Sequence, residues 1–357
     1  MAEAQSEQVA LSIDGRAYTG WTEVRIMRAL DTLCGEFELR LTDRERAGDA
    51  AFPLRAGAAC QVKVGGETLI TGWIDRLEGS IDAGNHEVSV SGRDRAGDLI
   101  DCSAIAKPGS WTNVAMEAIA AELAAPFGIT ATARTSTGPR IRRFAIQQGE
   151  SVSSAIERLA RYRGLLAVST ASGNVELITP AQDAPVADLV QGVNILAADG
   201  GHVASERFSR YLLKGQASGD DEVNGRAASA PSAEATDPAV TRYRPMLIIG
   251  EEQSDIASLK KRAEWEATTR AARAQQGRVT LQGWHRPDGR LWTPNVTVSL
   301  TAPALFMDGR MLVTSAALMK DDRGTVTELV VSPPGAFSQL AIPEDADASA
   351  VKRRKAA

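Results

Sequence analysis

Hydrophobic and polar residues alternate through most of the first hundred residues, which predicts a series of short strands. The alternation at 9–13 ends at Asp14-Gly15, a dipeptide typical of a two-residue hairpin turn. The same period returns at 37–41, 60–64, 68–81 and 88–90. Each strand would bury one face and expose the other. Five or six antiparallel strands within this length predict a small barrel or sandwich.

After residue 110 the apolar spacing becomes that of a helix. Trp111, Val114, Ala118 and Leu123 repeat at helical intervals, and Ser110 can cap the first turn. A second helical face lies at 152–160 and follows a capping Ser151. Strand patterns at 165–170 and 175–179 come next. Residues 106–185 are therefore predicted to form a compact α+β unit inserted after the first β unit.

A long polar segment divides the second half of the chain. Residues 216–241 are rich in Ala, Ser, Gly, Asp and Pro and have no apolar period, which predicts a mobile loop. We expect a helix from about Ser254 to Gln276, ended by Gly277, and strands again over 278–331. The tail at 341–357 is basic and predicted to be disordered, with a contact to an acidic partner or nucleic acid as the alternative.

Two strand patterns within the chain resemble each other. Residues 61–91 and 295–331 both read as strand, loop, long strand, turn and strand. Any two β-meanders can share this order, so a true repeat and a coincidence both stay open. The repeat predicts a mainly β protein of the α+β class, with two related small β-barrel domains, the inserted α+β unit and a further helix-containing segment. Three such chains would present six similar units around one axis.

The predicted domain boundaries follow from these patterns. They are a first β-barrel at 1–105, the inserted unit at 106–185, a connecting segment at 186–250, a helix plus second β-barrel at 251–340, and the tail.

Composition narrows the class of protein. The 357 residues include 40 Lys and Arg against 45 Asp and Glu, a formal net charge of −5, which disfavours a dedicated nucleic-acid binder. The polar, acidic N-terminus predicts no signal peptide, and no apolar run is long enough to span a membrane. Cys34, Cys60 and Cys102 lie far apart, which predicts reduced thiols made in a cytoplasm rather than disulfides or a zinc site.

A search for catalytic motifs assigns none. The chain has no GxxxxGK[ST] loop and no GxSxG elbow, and His86, His202 and His285 are isolated from one another. A Ser-His-Asp triad built from distant residues stays open, because its members need not be adjacent in sequence. We therefore predict no catalytic residue, no cofactor and no metal, and a protein that is not an enzyme.

Two turns rich in charge or tryptophan are candidate interfaces. Residues 91–102 place alternating charges at the end of a strand, and residues 283–295 place two tryptophans around a Pro-Asp-Gly turn. Such tryptophans either pack on a core or anchor a partner, since Trp is enriched at interface hot spots. The candidate interface residues are Arg93, Asp94, Asp98, Trp284, Asp288, Trp292 and Asn295. A buried structural role is the alternative for each.

The order of motifs along the chain carries a family resemblance. The matching stretches are 20–26, 35–39, 91–94, 98–102, 149–160, 164–166, 263–266, 283–284, 288–295 and 333–337. In this series the chain resembles the baseplate hub protein of Mu-like contractile phage tails, a family related to the hub part of type VI secretion spike proteins. The polar segment 216–241 departs from the family pattern.

The resemblance implies a homotrimer whose β-barrels form a pseudo-sixfold ring in the virion tail baseplate. The trimer would join the tail tube to the central spike protein and touch the baseplate wedge proteins, with DNA only as passing cargo. We expect a channel lining with little positive charge, so that DNA is not retained.

Two alternatives to the hub stay open. Residues 149–159 resemble the start of a glycan-binding LysM module, although the second helix of such a module is missing. The first alternative is therefore a peptidoglycan-binding or lytic tail protein that uses residues 149–164. The second is a tail-tip adhesin, which usually carries repeats or fibrous segments that this chain lacks.

Overall fold

The structure is a computed structural model that describes residues 7–42, 54–82, 86–216, 231–253 and 256–338. The first seven strands are β1 (Val9–Ile13), β2 (Arg16–Tyr18), β3 (Glu23–Ala29), β4 (Glu36–Thr42), β5 (Ala59–Val64), β6 (Glu67–Ile81) and β7 (His86–Asp94). The next seven are β8 (Ser110–Val114), β9 (Ala131–Ala133), β10 (Ile141–Ala145), β11 (Leu166–Ser169), β12 (Val175–Ile178), β13 (Asp188–Val190) and β14 (Ile195–His202). The last seven are β15 (Arg210–Gln216), β16 (Ser232–Thr236), β17 (Pro245–Gln253), β18 (Gln275–Gln282), β19 (Thr297–Ala302), β20 (Met307–Asp321) and β21 (Gly324–Ser332). The helices are α1 (Gly97–Asp101), α2 (Met116–Ala124), α3 (Val152–Arg161) and α4 (Ile256–Arg273).

One sheet of 13 described strands joins both halves of the chain. Its order is β14-β18-β21-β20-β3-β4-β7-β6-β5-β1-β2, with β19 beside β20 and β13 beside β19. The protein is mainly β, as the sequence predicts. Within the described residues no ladder joins the end strands β2 and β14, so the strands close into no barrel. The predicted pair of small closed barrels is therefore not confirmed.

The sheet contains the same strand order twice. In the first half the order is β1-β5-β6-β7-β4-β3, and in the second it is β13-β19-β20-β21-β18-β14. The two differ at one ladder, because β1 runs antiparallel to β5 and β13 runs parallel to β19. The repeat predicted from the sequence is present as this common order.

A bulge occurs at the same place in both long strands. The register of β6 against β7 shifts between Ile74 and Arg76, and that of β20 against β21 shifts between Val313 and Ser315. A bulge inserts one residue and so reverses which side chains face the core. Val313 before the bulge and Ala316 after it both reach the core.

The two halves meet at a direct ladder between β3 and β20. Val24–Ala29 pair antiparallel with Ser315–Lys320, and the Leu30 N–H donates to the bulge carbonyl of Thr314 at 2.8 Å. Apolar side chains on one face of both halves form one continuous core. We call this ladder the β3–β20 seam.

The α+β unit that the sequence predicts after the first β unit has its own core. Helices α2 and α3 pack on the small sheets β8–β10 and β9–β12–β11. The prediction of a helix beginning at Ser110 is wrong, because Ser110–Val114 form β8 and the helix begins at Met116. The predicted cap of α3 is confirmed, since the Ser151 Oγ accepts a hydrogen bond from the Ser154 N–H.

A third unit, formed by the sheet β16-β15-β17 and helix α4, contains part of the segment 216–241 that is predicted to be a mobile loop. Residues 217–230 of that loop lie outside the described residues, and Ser232–Thr236 form β16, which pairs with β15. The prediction of a loop is wrong for this strand. Its alternating pattern is hard to see in the sequence, because the only side chains that β16 packs against the core beside α4 are those of Ala233 and Ala235. The predicted end of the helix at Gly277 is also wrong, since α4 ends at Arg273 and Gly277 lies inside β18. The predicted disorder of 341–357 falls outside the described residues as well.

Candidate interface site

Arg93 and Asp94 leave the end of β7 in opposite directions. The Arg93 guanidinium lies on the surface between two carboxylates, with Nε donating to Asp75 at 2.7 Å and NH2 to Asp101 at 2.6 Å. These hydrogen bonds raise the pKa of Arg93 and lower that of Asp101. The cluster ties the bulge of β6 to the end of α1.

Asp94 points inward and is 1 % exposed. Its Oδ2 accepts hydrogen bonds from the Gly35 N–H at 2.7 Å and from the Ser169 hydroxyl at 2.5 Å, and its Oδ1 accepts from the Ala96 N–H at 2.9 Å. Burial raises the pKa of this carboxyl, while the hydrogen bonds oppose the rise. Asp94 therefore fastens the first β unit to β11 of the inserted unit.

Asp98 lies in the first turn of α1 and is half-buried. Its backbone carbonyl accepts a hydrogen bond from the Cys102 N–H at 3.0 Å, which closes this short helix. Asp98 lies close to Arg93 in the sequence, but the Arg93 guanidinium donates its hydrogen bonds to Asp75 and Asp101 instead.

Both tryptophans of the second candidate turn lie in the core. Trp284 is 0 % exposed, and its Nε1 donates to the carbonyls of Met319 at 2.9 Å and Val326 at 3.2 Å. Trp292 is buried in the same core. Of the two interpretations given above, packing on the core therefore describes both tryptophans. Neither indole is exposed in the single chain, so neither is available there to anchor a partner.

Asp288 and Asn295 flank these tryptophans in different settings. Asp288 lies at the exposed tip, where its Oδ2 contacts the Arg286 guanidinium at 3.1 Å. Asn295 has a positive φ of 61° and links two units, since its Oδ1 accepts from the Ala181 N–H at 2.8 Å. Asp288 is thus a candidate on the surface. Asn295 holds the end of the inserted unit against strands β18–β21, which we call the second meander; the first meander is β3–β7.

The remaining chemistry of the described residues is sparse. Cys34 and Cys60 are buried free thiols, and burial raises the pKa of each to about 12, while Cys102 is exposed. Within the described ranges, no group of three His, Cys, Asp or Glu side chains is placed to hold a metal ion. Among the described helices, none combines the length and the apolarity that crossing a bilayer requires.

The sequence reasoning missed two exposed strand edges. The end of β6 at Arg76–Ile81 and the whole of β14 expose most of their side chains, including Ile81 and Leu196, and Val203 just after β14 is exposed as well. Exposed apolar residues on unpaired edges are a signal of association. The sequence signal for the first edge was the predicted repeat, which makes the end of β6 the counterpart of the end of β20; β14 lies outside the two repeated stretches 61–91 and 295–331.

Three family models match successive parts of this chain. Residues 8–94 match "Mu phage baseplate assembly protein GpP-like, N-terminal", residues 96–179 match "Baseplate hub protein gp44-like, second domain", and residues 255–340 match "Mu phage baseplate assembly protein GpP, fourth domain". Their chain order is that of one multidomain baseplate protein.

Whole-chain relatives agree with these models. The baseplate hub protein gp44 of Escherichia phage Mu is 32% identical over 341 residues, covering 93% of this chain and 89% of that protein. The crystal structure of the 43 kDa tail protein of prophage MuSo2 from Shewanella oneidensis has a TM-score of 0.85 at 32% identity, over 94% of this chain and 100% of that one. These matches define a structural protein of a phage tail baseplate.

The chain belongs to the family of the baseplate hub protein gp44 of phage Mu. The predicted family resemblance is thereby confirmed. A phage baseplate role implies a location in the virion tail. A type VI secretion component of E. coli, described as similar to the T4 bacteriophage tail proteins gp27 and gp5, shares the fold at a TM-score of 0.55 and 11% identity, over 93% of this chain and 80% of that chain.

Proposed function

We propose that this protein is the trimeric hub that joins the tail tube to the central spike in the baseplate of a contractile phage-like tail. It would be surrounded by wedge proteins and would have no enzymatic activity. The observation that carries the proposal is the strand order found twice in one chain. Three chains with two similar units each present six similar units, which matches a sixfold partner on one side and a threefold partner on the other.

The polar face of the sheet supports a role as the wall of a DNA channel. On the face opposite the core, Arg40 lies 2.8 Å from Glu38, 3.3 Å from Glu23 and 4.0 Å from Glu87. On the second unit Arg278 faces Glu328 at 3.6 Å. Each of these guanidiniums is matched or outnumbered by neighbouring carboxylates. This face would therefore not attract the phosphates of passing DNA strongly enough to bind it.

The mass of the purified protein in solution tests the trimer. Light scattering should give three times the chain mass of 37.9 kDa, and negative-stain images should show a ring with a central hole. If the chain is monomeric alone, the measurement is repeated with the spike protein of the same particle. A trimer in either sample supports the proposal, and a monomer in both overturns it.

The described residues of the inserted unit depart from the pattern that the peptidoglycan-binding alternative requires. Helix α3 is followed by the β11–β12 hairpin rather than by a second helix. Binding of the protein to purified peptidoglycan, with a loss of binding on replacement of residues 149–164, would restore that alternative.

We also propose the division of the chain into units at 1–105, 106–185, 186–250 and 251–340. Limited proteolysis followed by mass spectrometry of the fragments tests it, since cleavage should concentrate between these units.

A further inference from the structure

The two halves of the sheet are equivalent in order but unequal in pairing. On the side of β20 away from β21, the first part of the strand pairs with β19 and the part after the bulge, Ser315–Lys320, pairs with β3. On the side of β6 away from β7, the first part pairs with β5. The part of β6 after its bulge, Arg76–Ile81, has no strand on that side among the described residues.

The difference shows in the exposure of the two equivalent segments. Every residue of Ser315–Lys320 is buried or half-buried, because β3 covers that edge. In Arg76–Ile81 only Leu77 is half-buried, and Ile81 is 78% exposed. This edge of β6, which no described strand covers, is thus the copy of an edge that β3 of the same chain covers elsewhere.

Most of the strand equivalent to β3 also lacks a partner on its outer edge in the part of the chain that the structure describes. Following the ladders inward, Ile26 lies opposite Phe37 and Phe37 opposite Gly92, just as Gly200 lies opposite Gly277 and Gly277 opposite Val331. This makes residues 198–203, in and just after β14, the counterpart of Val24–Ala29. Strand β14 ends the sheet, and among the described strands its residues 198–202 pair with β18 alone, while its first residue, Ile195, also bridges to Gln191. Leu196 in β14 and Val203 just after it are each 57% exposed.

We propose that β14 of one copy of this chain pairs antiparallel with Arg76–Ile81 of β6 in the next copy. The pairing repeats the β3–β20 seam between chains, and its closure with three copies rests on the trimer proposed above. The contact is head-to-tail, so each copy gives one edge and receives the other. Backbone N–H and C=O groups that pair with no described strand in the single chain would then be paired around the ring.

The seam also gives the register of the intermolecular ladder. Leu318 lies opposite Ile26 and Met319 opposite Arg25 within the chain. The equivalent pairs between copies are Gly79 opposite Gly200 and Ser80 opposite Asp199. The second pair projects to the polar face, where both side chains are exposed in the single chain.

Disulfide trapping tests the pairing and its register. The background variant is Cys102→Ser, which removes the exposed thiol, while Cys34 and Cys60 stay buried. Opposed residues of an antiparallel pair have Cα atoms about 4.5–5.5 Å apart, a distance that a disulfide spans. With Ser80→Cys and Asp199→Cys in one chain, mild oxidation should give covalent trimers on non-reducing electrophoresis.

Two kinds of control are used, and the second carries the same number of thiols as the test variant. Each single variant should give no covalent trimer. The pair Ser80→Cys with Arg16→Cys places the second thiol on β2, at the other end of the sheet, and should give none either. Trimers of the light-scattering mass with no cross-link specific to the Ser80–Asp199 pair would overturn the edge pairing and leave the trimer standing. A chain that is monomeric with and without the spike would overturn the trimer itself.

A charge pair at the same position gives a second measurement that needs no oxidation. Ser80→Asp puts two carboxylates opposite each other, whereas Ser80→Lys puts an ammonium opposite Asp199. Like charges on opposed strand residues destabilise a ladder, so the Asp variant should dissociate more readily than the Lys variant by roughly two- to fivefold per interface. Equal dissociation of the two variants at low salt would contradict the register.

Discussion

At the scale of single residues, Asp94 has the most demanding position among the candidate residues. It is buried at the junction of two units and accepts hydrogen bonds from Gly35, Ala96 and Ser169. The sequence showed an acid in a charged turn, which is usually solvated. The structure shows an acid whose function is to join units.

Replacement of Asp94 by alanine should strongly destabilise the fold. Two backbone N–H groups and one hydroxyl would lose their shared acceptor inside the protein, at about 1–3 kcal/mol for each buried unsatisfied group. The free energy of unfolding from urea titration should fall by about 3 kcal/mol or more. Asp98→Ala is the control in the same turn and should change it by only about 0.5 kcal/mol.

The pH dependence of that difference tests the cause of the pKa shift. Burial raises the pKa of Asp94 in the folded state, so the folded protein binds this proton more tightly than the unfolded chain. The stability of the wild type should therefore fall relative to Asp94→Ala as the pH rises from the ordinary aspartate pKa through the raised one. The opposite slope would mean that the three donors outweigh burial.

Trp284 is expected to contribute through packing and through its indole N–H. Trp284→Phe leaves the Met319 and Val326 carbonyls without this donor and should lower the free energy of unfolding by about 1–3 kcal/mol. Trp284→Ala should lower it by about 3–5 kcal/mol. Arg290→Ala, at the exposed tip of the same turn, is the control; an equal loss there would contradict a core role that is specific to Trp284.

At the scale of elements, the bulges decide which residues of the long strands face the core. Before the bulge of β20 the core residues are Met311 and Val313, and after it they are Ala316 and Leu318. The same step of three separates Ile74 from Leu77 in β6. This step is visible in the sequence as a break in the two-residue period, and reading it would have predicted both bulges.

Deletion of Thr314 should prevent folding of the second meander. Without the bulge the residues that follow would shift by one position, which turns Ala316 and Leu318 away from the core. The expected result is loss of the cooperative unfolding transition by circular dichroism. Thr314→Ser keeps the bulge and should keep the transition; normal unfolding of the deletion variant would show that the bulge is dispensable.

At the scale of the whole molecule, one core extends across both meanders through the β3–β20 seam. The inserted unit has a separate core around α2 and α3. A shared core couples the two meanders although they lie far apart in sequence. We expect them to unfold together rather than as two independent domains.

Calorimetry with one core variant in each meander tests this coupling. Ile70→Ala in the first and Leu329→Ala in the second remove side chains that are fully buried, and each should lower stability by about 2–5 kcal/mol. Both should move the same heat-capacity peak. If each variant moved a different peak, the meanders would be independent.

Most local elements can be predicted from the sequence, because alternation, helical spacing and turn dipeptides act over a few residues. The strands predicted at 9–13, 37–41, 60–64, 68–81 and 88–90, the capped helix at Ser151 and the chain order of the repeated strands follow from such signals. Strand β3 and the order of the strands in the sheet do not. The tertiary structure decided that the meanders share one sheet, that Trp284 is core and that Asp94 is a buried junction. Those outcomes depend on contacts between residues far apart in the chain, from 35 residues for Trp284 and Met319 to 294 for Arg25 and Met319. Such contacts leave no periodic trace in the sequence.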